Sequence, residues 1–298
     1  MTGGTETAEY DPPRTDCGIC GSRRIALHHS DFRGNRIFRC PDCTVQFMNP
    51  AYSDRHLARY YSGYAREEPD WDEPLSYGHH FYLSLVEKFS PAKGRLLDVG
   101  CGKGHLLLAA RERGWDPVGL EISDASARLA AVRTGVRTLC GEIQKIDWGT
   151  ETFDLVAMHQ VLEHLKSPIS CLSVVRTLLK DGGILLVVVP NVHARANLVK
   201  LALEKVGARR RRVGAYYGTE DHLWYYSPRS LRFLLARLGF EILHMRSGHR
   251  VRPGQSRLQR FFTRNLSDRL LWKSTFLAIA RKQGVACGRQ SSFRAKTR

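Results

Sequence analysis

The sequence predicts an α/β protein, a mostly parallel sheet with helices on both faces, preceded by a small cysteine-bound module. Three observations predict it. Arg95-Leu96-Leu97-Asp98-Val99 is a short apolar strand that runs into three alternate glycines, Gly100, Gly102 and Gly104, and then turns helical. A second strand, Asp116 to Glu121, ends in an acid 21 positions after Gly100. From residue 95 onward, apolar runs of strand length alternate with amphipathic runs of helix length, as a parallel sheet with crossover helices requires.

Residues 10–50 form the first unit. Cys17-Gly18-Ile19-Cys20 and Cys40-Pro41-Asp42-Cys43 are two knuckles separated by 19 residues, a spacing suited to one tetrahedral Zn²⁺ on Cys17, Cys20, Cys40 and Cys43. Two disulfides, or a site that has lost its metal, are the other readings. Cys101, Cys140, Cys171 and Cys287 share no such pattern. Between the knuckles, 31–36 is a turn, 36–39 a strand, and 45–50 closes the zinc-ribbon-like unit. So short a segment cannot bury a sufficient core, so metal would supply much of its stability. Its own charge is not strongly basic, which favours a structural cap over a nucleic-acid reader.

Residues 51–90 read as a helical linker or cover. A helix is expected over 53–64, with Tyr52, Tyr60, Tyr61 and Tyr64 taken as packing residues. An acidic loop with Glu67, Glu68, Asp70, Asp72 and Glu73 follows, then a helix over about 76–89. The main domain spans 91–283. Strands are expected at 95–99, 116–121, 137–140, 153–159, 183–190, 240–247 and 276–282, and helices at 105–113, 124–134, 168–180 and 228–238. Asp181-Gly182-Gly183 is expected to end one helix through a left-handed glycine, and Ser227-Pro228 to start another with an N-cap and a first-position proline. Segments 191–221 and 250–273 are basic insertions, and 284–298 is polar and without periodicity, the mark of a disordered tail.

The 298 residues carry 43% hydrophobic and 25% charged side chains, which excludes wholesale disorder. The N-terminus shows no secretory pattern, and the longest apolar run, Ile184 to Val189, cannot span a bilayer, so a cytoplasmic location is expected. The net charge of +17 belongs to residues 191–298, which hold 24 Lys and Arg against 5 Asp and Glu, while residues 1–190 hold 22 against 24. A phosphate-bearing substrate, peripheral contact with an anionic membrane, nucleic acid, or simply a solvated Arg-rich surface would suit that asymmetry.

The glycine turn lacks the Gly-Lys-Ser/Thr ending of a phosphate-binding loop, and its G-x-G-x-G spacing differs from the dinucleotide fingerprint. It resembles motif I of class I S-adenosylmethionine-dependent methyltransferases, and the resemblance extends over roughly residues 75–283. It implies a Rossmann-like seven-stranded sheet with the last strand inserted antiparallel between its neighbours. It also implies S-adenosylmethionine as cofactor, held by Asp98, Gly100, Cys101 and Gly102, with Glu121 and Ile122 at the ribose. Glu142 and Ile143 would lie at the adenine, Glu standing where the superfamily usually has Asp, and His159 and Gln160 beside the methionine part and the methyl group. The N-terminal module looks like that of some bacterial methyltransferases, deoxysugar C-methyltransferases among them.

His159 to Leu165 is similar to the Glu-x-x-Glu-His segment with which ubiquinone-biosynthesis and small-RNA methyltransferases can hold Mg²⁺. Here Gln160 replaces the first acid, which makes a poorer ligand set and leaves Glu163 and His164 to orient a substrate hydroxyl or cap the turn. His222-Leu223-Trp224-Tyr225-Tyr226-Ser227 resembles the His-x-x-Tyr-x-Ser element of deoxysugar C-methyltransferases, which makes His222 the expected catalytic base and His164 the next candidate. The expected function is methyl transfer to oxygen or carbon of a small molecule, with an anionic sugar- or lipid-linked or natural-product compound among the expected acceptors. Rival readings are a nucleic-acid-binding protein or RNA/DNA methyltransferase, disfavoured because no Asn/Asp-Pro-Pro-Tyr/Phe motif is present, and a non-catalytic regulator on the same fold.

Overall fold

The computed structural model describes residues 9–67, 73–208, 210–248 and 271–284. The acidic positions 68–72, Arg209, most of the second basic insertion at 250–270 and the tail from 285 lie outside the described residues.

Two sheets are formed. The larger contains β4 (Arg95–Val99), β5 (Asp116–Glu121), β6 (Thr138–Cys140), β7 (Phe153–His159), β8 (Leu179–Pro190), β10 (Phe240–Ser247) and β11 (Thr275–Lys282), in the order β10-β11-β8-β7-β4-β5-β6. β4 to β8 run parallel, while β11 pairs antiparallel with both β8 and β10. This is the Rossmann-like order expected, with the last strand inserted.

Both faces of the sheet are covered, so its central strands are continuous apolar runs rather than alternating ones. Leu97, Val99, Val156 and Met158 face α5 (Pro168–Leu178) and α7 (Pro228–Arg237) through one core, which contains Leu172, Val175, Leu231 and Leu235. Leu96, Leu155 and Ala157 join Leu83, Val86, Leu106 and Ala109 on the opposite face. These last come from α2 (Glu73–Val86) and α3 (His105–Glu112). Beyond α2, the Glu87 carboxylate accepts from Arg113 Nε at 2.9 Å and from Trp115 Nε1 at 3.2 Å, which ties the end of that helix to the edge of the sheet. The segment expected to be a linker is therefore part of one helical layer.

Local signals account for most helix ends. Ser123 caps α4 (Asp124–Thr134) by accepting from Ser126 N–H, and Gly135, at φ 65°, closes it. Ser227 and Ser230 form a reciprocal capping box at the start of α7, with Pro228 in the first turn. One expectation is corrected. α5 ends at Leu178, and β8 begins at Leu179, so Asp181-Gly182-Gly183 does not terminate a helix. Gly182, at φ 75°, instead turns the entrance of β8 where its register against β7 jumps from Leu179 to Ile184.

The smaller sheet has the order β1 (Ala26–Ser30), β2 (Arg36–Arg39), β3 (Gln46–Met48) and β9 (Trp224–Tyr225). Its fourth strand comes from far along the chain, with Gln46 opposite Tyr225 and Phe47 opposite Trp224. The cysteine unit and the end of the first basic insertion thus share one core, which the reading of 10–50 as a separate module does not convey. α1 (Asp54–Glu67) follows the small sheet, and α6 (Arg195–Lys205) opens the basic insertion. Among the described residues no helix is long and apolar enough to cross a membrane.

Candidate active site

The sheet delivers its chemistry at the carboxyl ends of β4, β5 and β7, where an open α/β sheet leaves a crevice. Gly100, at φ 72°, makes the turn out of β4, and a Cβ there would meet Val161 Cγ2 at 2.4 Å, so no side chain fits. Gly104, also left-handed at φ 87°, is the N-cap of α3 and has no side chain to satisfy its first amides, which therefore remain for a ligand. Glu121, at the tip of β5, folds over this turn. Its Oε2 accepts from Gly102 N–H at 2.9 Å and its Oε1 from Ser123 N–H at 3.0 Å.

Asp98 lies beneath the turn and is 2% exposed. Burial, and then the charge of Glu121, push its carboxyl well above the usual carboxylate range. Cys101 directs its sulfur under β5, 2.9 Å from where a Cβ on Gly119 would stand, so only its backbone faces the turn. Ile122 is half exposed on the loop after β5, an apolar platform beside the cleft. In the loop after β6, Ile143 is buried, with its carbonyl accepting from Trp148 Nε1 at 3.0 Å, whereas Glu142 is exposed and paired with Lys145.

His159 closes the deep side. Its ring lies 5.0 Å from that of His79 and 5.4 Å from that of Tyr82, both on α2, and burial holds it down at about 4, hence neutral. Gln160 follows in a left-handed conformation at φ 57°, with its Nε2 buried and without a hydrogen-bond partner. A strained backbone and an unsatisfied amide at one residue are features found where a ligand is meant to sit.

The next turn of chain assembles a second group. Glu163 is fully buried, neither carboxylate oxygen has a hydrogen-bond partner, and burial pushes its carboxyl up to about 8. His164 Nδ1 lies 3.2 Å from the Asp221 carbonyl oxygen and 3.5 Å from its carboxylate, and burial holds this ring at about 4. His222 Nδ1 lies 3.0 Å from the Tyr217 carbonyl oxygen. A carbonyl only accepts, so both rings carry their proton on Nδ1 and leave Nε2 with a free lone pair. The two rings are 4.9 Å apart, and Glu163, His164 and His222 each offer a ligand atom within 4.8 Å of the others. Tyr60 donates to Asp221 Oδ2 at 3.2 Å, and the Tyr61 ring stands 6.4 Å from His164, so two tyrosines read as packing residues also border the site.

Residues 75–245 match the sequence family described as methyltransferase domain, more than half of the chain. The chain belongs to the methyltransferase domain family. The ubiquinone biosynthesis O-methyltransferase of Caulobacter vibrioides is 32% identical over 148 residues, 47% of this chain and 57% of that protein. The enzyme of the same name from Aeromonas salmonicida is 29% identical over 143 residues, 46% of this chain and 58% of that protein. The chain thus spans less than two thirds of the length of each of these two relatives. Among solved structures, a chain from the complex of the Haloferax volcanii Trm112 methyltransferase activator with a putative methyltransferase aligns at TM-score 0.54 and 16% identity, over 75% of this chain and 98% of that one. The CcbJ methyltransferase of Streptomyces caelestis aligns at 0.51 and 16%, over 75% and 96%. At such identities the likeness is one of fold.

Within the methyltransferase domain, the crevice fits the expected S-adenosylmethionine in its chemistry. It offers the carboxyl groups of Asp98 and Glu121, a turn that only glycine permits and the N-terminus of α3, with the buried Lys103 inside the turn. Asp98 gives a test of this arrangement. A carboxyl whose folded pKa is raised contributes stability that is complete below its ordinary value of about 3.9 and is lost as pH climbs through the folded value. Asp98→Asn should therefore make the ligand-free protein more stable at alkaline pH and flatten the decline, while weakening cofactor binding. Thermal melts of both proteins from about pH 5 to about pH 9 check it. Parallel curves would show that the buried charge has a compensating partner.

The cysteines satisfy a metal's geometry. Sγ atoms of Cys17 and Cys43 are 3.5 Å apart, as are those of Cys20 and Cys40, and all four lie within 4.8 Å of one another. The four thiols are unbridged at such distances, and a zinc tetrahedron with bonds of ~2.3 Å has edges of about 3.8 Å. Sequence reasoning missed His79, Tyr82 and Asp221. None of them carries a local motif, and only the packing of α2 and of the 217–223 turn brings them to the site.

Proposed function

We propose that the chain transfers a methyl group from S-adenosylmethionine to a small-molecule acceptor, at a hydroxyl oxygen or an acidic carbon. The observation that supports it most directly is the glycine turn of β4 closed by the Glu121 carboxylate. Bound S-adenosylmethionine supplies a methyl already activated on sulfonium, so the protein's contribution is position and a proton acceptor. Glu121 takes the ribose hydroxyls, its two amide contacts holding the carboxylate in place. Asp98 fixes the turn from below, Ile122 and Ile143 flank the adenine, and neutral His159 with Gln160 borders the reacting methyl. His222 receives the acceptor's proton on Nε2, its tautomer set by the Tyr217 carbonyl.

A second reading is favoured by the unpartnered oxygens of Glu163. Glu163, His164 and His222 form a donor set for a divalent cation. Each imidazole is held through its other nitrogen by a backbone carbonyl, as metal-binding histidines are. Such a cation, when bound, would supply charge that eases ionisation of an acceptor hydroxyl. His222 here occupies the place that Gln160 leaves weak.

Titration of S-adenosylhomocysteine into wild type and Glu121→Ala tests the cofactor assignment. Binding should fall by roughly tenfold or more in the variant, from loss of charge-assisted hydrogen bonds to the ribose. Equal affinity would remove Glu121 from the site.

A further inference from the structure

A cavity of about 270 Å³ lies between the cysteine unit and the first basic insertion, beyond the carboxyl end of β8. One wall is basic: Arg39, Lys205, His28 and His193 line it. These four act on one another. Arg39, Lys205 and His193 all oppose protonation of His28, after burial, and Arg39 likewise opposes that of His193. Leu198, Leu201 and Tyr216 add apolar and aromatic lining, the two leucines on the same face of α6 as Lys205. Among the described residues no carboxylate lines the cavity. Glu204, behind Tyr216, is engaged by other donors, its Oε1 accepting from Gly214 N–H at 3.1 Å and its Oε2 from Tyr216 OH at 3.2 Å, with His29 Nε2 at 3.5 Å.

The backbone is arranged for this wall. The ladder between β1 and β2 slips between Leu27 and His29, so His28 is the extra residue of a bulge, a device that re-aims one side chain. Arg39 stands directly across from Gln46 in the β2–β3 register, and Gln46 Oε1 accepts from Tyr217 OH at 2.9 Å. Tyr217 is also the residue whose carbonyl holds His222, so the cavity and the proposed acceptor site share a wall. Facing cations repel each other and cost stability unless an anion comes between them. Arg39 and Lys205 make no ion pair among the described residues that would relieve this.

We propose that this cavity binds the anionic end, phosphate or carboxylate, of an amphiphilic small molecule whose apolar body lies on Leu198, Leu201 and Tyr216. Its volume is below the roughly 300–1,000 Å³ of sites that enclose a whole ligand, so it receives one end of the molecule. On the reaction proposed above, which this clause rests on, that molecule is the methyl acceptor, anchored by its charge while its other end reaches His222. The cysteine unit is then a contributor to substrate selection through His28 and Arg39.

The full chain is titrated with phenyl phosphate, benzoate, phenol and inorganic phosphate, each with S-adenosylhomocysteine binding measured alongside. Phenyl phosphate or benzoate should saturate one site, the tighter of the two naming the anion, and phenol should not. Inorganic phosphate should bind more weakly than phenyl phosphate. The double variant Arg39→Gln with Lys205→Gln should weaken the anionic probe by at least about tenfold. Leu201→Trp, which fills the cavity without removing a charge, should do the same, and both variants should keep their affinity for S-adenosylhomocysteine. Wild type that binds S-adenosylhomocysteine but neither aromatic anion would overturn the proposal. So would anion binding indifferent to the double variant, or inorganic phosphate binding as tightly as phenyl phosphate. Wild type that binds an aromatic anion but no S-adenosylhomocysteine would instead count against the methyl-transfer reading and leave the anion site standing.

Discussion

Replacing Cys43 by serine should destabilise the whole chain, not only its first fifty residues. The protein purified without added metal should contain one zinc per chain, and the variant should contain less than one. A structural zinc contributes roughly 10–16 kcal/mol of binding free energy in small modules, so losing one thiolate of four costs several kcal/mol. At about 2–4 °C per kcal/mol for a domain of this size, the melting temperature should fall by about 10 °C or more. The unfolding should remain a single transition because the two sheets share contacts throughout. Val45 and Phe47 share one core with Leu97 and Val156, and Trp224 Nε1 donates to the Leu165 carbonyl, just beyond β7, at 2.7 Å. Elemental analysis and calorimetry decide the matter. Zinc-free protein with four alkylatable thiols in the native state would remove the metal, and a separate early transition would show that the cysteine unit melts alone.

The second large effect concerns His222. His222→Gln should lower turnover by roughly a hundredfold or more and leave affinity for S-adenosylmethionine nearly unchanged, since a group that receives a proton acts in the chemical step. Glu163→Gln separates the two readings of the site. If a cation sits there, wild type should bind Mn²⁺ stoichiometrically by electron paramagnetic resonance, and both substitutions should abolish that signal. If His222 acts unaided, turnover should survive exhaustive chelation. Normal turnover in the His222 variant would send the search to His164. Burial holds that ring at about 4, so it would accept a proton poorly at neutral pH.

The features legible in the sequence are those written locally. The apolar run of β4, its three glycines and the acid ending β5 lie within 27 residues, and the structure closes them into one turn through Glu121 and Gly102. The caps at Ser123 and Ser227 are equally local. What could not be read is carried by contacts between distant segments. Gln160 weakened the case for a cation only so long as the donors were sought in one heptapeptide, and the structure brings His222 in from the far side of β8. Tyr60 and Tyr61 looked like helix packing because their partners, Asp221 and His164, stand more than a hundred positions away. Gly182 misled for a different reason, since a left-handed glycine serves a strand entrance as well as a helix exit.

The pairing of β3 with β9 also orders events during synthesis. Gln46 leaves the ribosome long before Tyr225, its partner across the ladder, so β3 is made with one edge still open. Only when the chain has been made through the parallel core does a two-residue strand close that edge, and the same movement carries His222 to Glu163 and His164. Assembly of the Glu163, His164 and His222 cluster thus waits on the pairing of β9 with β3. A graft of residues 10–50 onto another methyltransferase would need to bring a matching edge strand with it.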